Sequence, residues 1–128
     1  MTERRRVPTD APWATKVGYS RAVRVGDTIH VSGTAPVGED GRVGPVGDVY
    51  GQARRCLEII MAALGEAGAR PEHVVRTRMY VRDATQWEEV GRAHAELLGH
   101  AKPATTLVEV QGFIDPDILV EIEAIAVV

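Results

Sequence analysis

Thiol chemistry is nearly missing from this chain: Cys56 is its one cysteine, so no internal disulfide can form, and no Cys/His spacing resembles a zinc site. Such usage fits a reducing, cytoplasmic setting. A long apolar run is missing as well. Behind Arg4, Arg5 and Arg6 the chain continues with Val7-Pro8-Thr9-Asp10, which predicts neither a signal peptide nor a membrane anchor, and residues 1–16 read as a flexible, solvated tail. Positive charge is not in surplus. The net charge is −3 and the pI near 5.8, which argues against a nucleic-acid partner, because phosphate binding draws on clustered Lys and Arg.

What is present suits a folded domain. With 45% hydrophobic and 26% charged residues the composition is globular, and 128 residues are enough for one domain with a real core. Arg21 to Val25 and Thr28 to Ser32 alternate polar and apolar residues around Gly26-Asp27, the pattern of a β-hairpin. Residues 36–47, punctuated by Pro36, Gly38, Gly41, Gly44, Pro45 and Gly47, read as an exposed loop with room for a short strand turn. Asp48 is a fitting N-cap for a helix carried by Val49, Ala53, Cys56, Leu57, Ile60, Leu64 and Ala67 and stopped by Gly68. Inside that stripe Cys56 reads as a small core hydrophobe.

Pro71 opens a short turn, after which Val75, Thr77, Met79 and Val81 alternate with Arg76, Arg78, Tyr80 and Arg82, a strand with two unlike faces. Thr85 and Glu88 have the spacing of a capping box for a second helix, with Trp87, Val90, His94, Leu97 and Leu98 inward and Gly99 as its stop. An inward histidine reads as a hydrogen-bonded core residue. Residues 105–110 and 118–128 read as two closing strands. The order ββ-α-β-α-ββ predicts an α+β fold, one mixed sheet with two helices on one face. Val25, Val31, Val81, Val108 and either Val120 or Ile122 exceed what the helix side takes up, which predicts subunits packed sheet against sheet.

The residues also resemble a known family. Val17-Gly18-Tyr19-Ser20-Arg21-Ala22-Val23 resembles the IGPYSQAV opening of the RidA/YjgF (reactive intermediate deaminase) family with its proline missing, and Val31-Ser32-Gly33-Thr34-Ala35-Pro36 resembles its VSGQIP. Residues 48–68 are similar to its Q-x-R-x-x-L-E-N helix, and Val74-Val75-Arg76-Thr77 to its D-V-V-K-T strand. Residues 103–110 are similar to its PARSxVEV signature, and residues 120–127 to its VEIEAIAV ending. The resemblance implies a chorismate-mutase-like fold, a homotrimer with ligand clefts at subunit interfaces, and hydrolysis of enamines and imines such as 2-aminoacrylate without metal or cofactor. It implies Glu121 as the catalytic carboxylate that handles the attacking water and the departing amine. Tyr19, Ser32, Gly33, Thr105, Thr106 and Leu107 would bind the small-molecule metabolite. Glu121 and Thr105 are expected to share one cleft, with Glu123 directed elsewhere.

One departure stands out. Thr105 occupies the place of the family's arginine, so the bidentate donor that would clamp a substrate carboxylate is missing. Gly91 replaces the usual asparagine of the second helix, and His94 and Leu98 replace its aromatics. A hydrolase acting on something other than a simple 2-imino acid is therefore the first reading. A non-catalytic binding or chaperone-like module is the second, and an endoribonuclease or translation inhibitor ranks last. Should the lost charge be supplied elsewhere, Arg21 and Arg78 are the candidates.

Overall fold

The computed structural model describes residues 3–128. Its strands are β1 (Arg4–Val7), β2 (Ala22–Val25), β3 (Thr28–Thr34), β4 (Val74–Val81), β5 (Ala104–Glu109) and β6 (Val120–Val127), with helices α1 (Ala14–Val17), α2 (Val49–Glu66) and α3 (Trp87–Leu98). The strands form one mixed sheet in the order β1-β2-β3-β6-β4-β5, antiparallel except for the β4–β5 pair. The last two strands are thus not neighbours: β6 fills the middle and β5 an edge.

α2 forms where its periodicity predicts. The Asp48 side chain accepts from the Gly51 N–H, and Gln52, Ala53, Cys56, Leu57, Ile60, Ala63 and Leu64 are buried along one stripe. Leu57, Ile60 and Leu64 are each fully buried against the sheet, contributing about 1.5–3 kcal/mol apiece. Gly68, at φ +90°, turns the chain out of the helix. The helices cover Ile29, Val31, Val74, Met79, Val81, Val120, Ile122, Ala124 and Ala126. The 36–47 loop carries a single bridge between Val37 and Val43.

Several expectations need correction. Residues 4–7 are not a tail: Arg4–Val7 pairs with β2, and only its side chains Arg4 to Arg6 are solvated, while Val7 enters the core. Met1 and Thr2 lie outside the described residues. The capping box does not form, because Asp83 accepts from the Thr85 N–H and caps a 3-10 turn that precedes α3. Trp87 consequently sits on the first turn of α3 with 58% exposure. Of the apolar residues thought to overload the sheet, Val31, Val81, Val120 and Ile122 are buried beneath the helices, and only Val25 and Val108 are exposed. No helix among the described residues is long and apolar enough to cross a membrane.

Candidate functional site

At the β3–β6 junction the ladder is interrupted between Val31 and Thr34, a β-bulge that frees Ser32 and Gly33 from regular pairing. Ser32 folds back, its hydroxyl donating to the Ser20 carbonyl at 2.6 Å. Gly33 faces Glu121 so closely that a Cβ there would lie 3.3 Å from Oε1. A side chain at this position would crowd the carboxylate, which would have to shift by a few tenths of an ångström.

Arg21 holds this corner together. It is buried, and its guanidinium donates to the Gly33 carbonyl (3.1 Å), Thr34 Oγ1 (2.9 Å), Thr9 Oγ1 (3.2 Å) and, more loosely, Tyr19 Oη (3.5 Å). Its carbon stands 5.6 Å from the centre of the Tyr19 ring, within cation–π range. Among the described residues it makes no ion pair with a carboxylate; its charge reaches Glu121 through space. Burial raises the Glu121 carboxyl above its ordinary value, and Arg21 partly opposes that rise. A half-buried carboxyl shifted toward neutrality is suited to taking and returning a proton.

Gly33 and Glu121 adjoin, the Ser32 hydroxyl turns to the Ser20 carbonyl, and what links Gly33 to Tyr19 is Arg21. Its signal lay in the sequence: it stands where the IGPYSQAV opening has an uncharged glutamine. Arg78, the other candidate cation, lies 3.8 Å from Glu123 and is taken up by that pair.

Thr105, Thr106 and Leu107 do not join this corner within the protomer. β4 separates β5 from β6, and two strand spacings are about 10 Å. The register sets Thr105 level with Thr77 and Ala124, which point toward the helices. Glu121 is level with Tyr80 and Val108 on the open face. Thr105 and Glu121 thus lie on opposite faces. Thr106 is on the open face, accepting from Arg76 at 2.7 Å, and Leu107 packs against the core. Glu123 does not point away from Glu121 either, because residues two apart on a strand share a face. It accepts from the Tyr80 hydroxyl, a bond that raises the tyrosine's pKa.

His94 is buried on α3, with Nε2 2.8 Å from Thr77 Oγ1, and burial lowers its pKa. Cys56 is buried, its thiol pushed well up by desolvation, which removes it from thiolate chemistry. A groove of about 420 Å³ runs between residues 7–13, residues 34–41 and α2; Arg21 lines it and Glu121 does not. Among the described residues no group of three or more His, Cys, Asp or Glu is placed to hold a metal.

Residues 9–128 match the family model described as Endoribonuclease L-PSP. The uncharacterized protein SCO2049 of Streptomyces coelicolor is 40% identical over 119 residues, spanning 93% of this chain and 88% of that one. The 3-aminoacrylate deaminase RutC of Acinetobacter baylyi is 33% identical over 108 residues, 84% of this chain and 85% of its own. Among solved structures, Rv2704 of Mycobacterium tuberculosis, a member of the YjgF/YER057c/UK114 family, superposes with a TM-score of 0.88 at 44% identity, covering 98% of this chain and 100% of that one.

Proposed function

Because this chain belongs to the Endoribonuclease L-PSP family, the RidA/YjgF family of its sequence resemblance, we propose that it hydrolyses the C–N bond of a reactive enamine or imine other than a simple 2-imino acid. The observation that carries this reading is Glu121: a half-buried carboxyl with a raised pKa, set against Gly33 and in the field of Arg21. In its ionised form it takes a proton from the attacking water, and the carboxylic acid then returns a proton to the departing amine. The activity carried in the name of RutC supports the reaction class.

The substrate cleft belongs to the boundary between subunits of a homotrimer. Thr105 and Glu121 lie on opposite faces of one protomer, so one molecule does not bring them together, whereas the β5 edge of one subunit can border the open face of the next. The exposed Val25, Val108 and Val127 on the open face would be covered by that packing. Sedimentation equilibrium is expected to give three times the 13.9 kDa protomer mass, and a stable monomer would remove this arrangement.

Arg21 does not replace the missing clamp. Its donors are already engaged with Gly33, Thr34 and Thr9, so it sets a field without presenting a free fork. Wild type is accordingly expected to turn over 2-aminoacrylate poorly, and Thr105→Arg to raise that activity in part. The gain is partial because the new side chain forfeits the Thr77 contact and lacks supporting neighbours. Ammonia release from a panel of enamines, with Glu121→Ala as control, tests the whole reading; equal turnover by the control would remove Glu121 from the chemistry, and no turnover above background by wild type would leave a binding protein. The absence of a cation at Thr105 is what favours that second reading, and the net charge of −3 speaks against the ribonuclease one.

A further inference from the structure

The place left by the family's arginine is built, not empty. Thr105 Oγ1 lies 2.7 Å from Thr77 Oγ1, which lies 2.8 Å from His94 Nε2. Thr77 is fully buried in β4, His94 is almost so on α3, and Thr105 is exposed on the edge strand. Two of the four residues that depart from the family pattern here, Thr105 and His94, are thus the two ends of one connected chain.

A hydroxyl has one proton and two lone pairs. With partners on both sides, Thr77 donates to one and accepts from the other, so the chain is polarised in one of two senses. When Nε2 carries the ring proton, His94 donates to Thr77, Thr77 donates to Thr105, and the Thr105 proton turns outward as a donor. When Nε2 is bare, Thr77 donates to it, Thr105 donates to Thr77, and Thr105 turns lone pairs outward. Passing between the senses moves the ring proton from one nitrogen to the other, by exchange with water, and turns both hydroxyls around. Burial lowers the pKa of His94, which keeps the ring neutral in both.

We propose that Thr105, Thr77 and His94 form a reversible, uncharged hydrogen-bond relay that selects substrates bearing a neutral amide at the position where the family's arginine takes a carboxylate. This rests on the reading in which Thr105 borders the cleft. An amide matches both senses of the relay, since it can accept from Thr105 or donate to it. A carboxylate is served only by the outward-donor sense, and its charge still finds no cation at Thr105.

The full-length protein tests this by nuclear magnetic resonance, which reads the relay without turnover. Thr105→Val, an exposed change of equal volume, is expected to move the His94 Nε2 resonance. Thr106→Val, on the opposite face, should leave it in place. Thr77→Val should act as Thr105→Val does. Titration with 2-oxobutanamide and 2-oxobutanoate is expected to show the amide bound roughly tenfold more tightly, a preference lost in Thr105→Val. An unmoved His94 resonance in Thr105→Val would overturn the relay. Equal affinity for the two probes, or no binding of either, would overturn the substrate class. A protein that prefers the amide but releases no ammonia from any enamine keeps the relay and loses only the catalytic reading.

Discussion

Glu121→Gln is expected to lower kcat on the best enamine by roughly 10²–10⁴-fold, with KM changed much less. Glutamine keeps the size and shape of the side chain but cannot carry a proton between water and amine. The same substitution should stabilise the protein at neutral pH. Burial raises the folded-state pKa of Glu121, so its favourable contribution is present below the unfolded value of about 4.3 and is lost as pH rises through the folded value. Glutamine has no such loss. Thermal melts of the two proteins should converge near pH 4 and separate toward pH 7, with the variant the more stable. A variant that is inactive and less stable at pH 7 would point to damage at the Gly33 corner, and a loss of activity under tenfold would place proton handling elsewhere.

The largest stability effect outside the apolar core is expected at Gln52. Its side chain is fully buried, with Nε2 donating to the Pro45 carbonyl (3.0 Å) and the Asp117 carbonyl (2.9 Å), and Oε1 accepting from the Leu119 N–H (2.8 Å). One residue on the first turn of α2 thus holds both the loop that leads into the helix and the segment that leads into β6. Gln52→Leu keeps the volume and leaves two carbonyls and an N–H without partners. Each unmet group costs about 1–3 kcal/mol when buried, and these are partly accessible, so about 2–4 kcal/mol in total is expected from urea unfolding. A loss below about 1 kcal/mol would mean that water takes over the orphaned groups. Activity should fall too, since Leu119 lies two residues before Glu121.

How much of this could be read in the sequence depended on whether local pattern or sheet order decided the matter. α2 shows itself through a full stripe, and its burial is what the stripe predicts. β1 does not, because an edge strand offers one face to the core and here only Val7 uses it, behind three arginines that read as solvated charge. Trp87 departs from its expected inward place because Asp83, not Thr85, provides the cap and α3 begins at Trp87 itself. At the site, Gly33 adjoins Glu121, and Tyr19 is tied to the same corner through Arg21. Thr105 does not join that corner, since nothing local tells that β4 comes between β5 and β6. Arg21 was visible as a charge but not as the residue that ties the corner, because its partners come from residues 9, 19, 33 and 34.

The central position of β6 bears on how the protein is made. β6 is the last of the six strands to leave the ribosome, yet it is the partner of both β3 and β4. Without it the sheet order leaves two separate groups of strands, β1-β2-β3 and β4-β5, whose inner edges β3 and β4 lack a partner. Closing the gap then joins residues 28–34 to residues 120–127, a long-range pairing that is slow by its nature. Completion of the sheet therefore waits on β6, and until it docks those two edges are open to other chains.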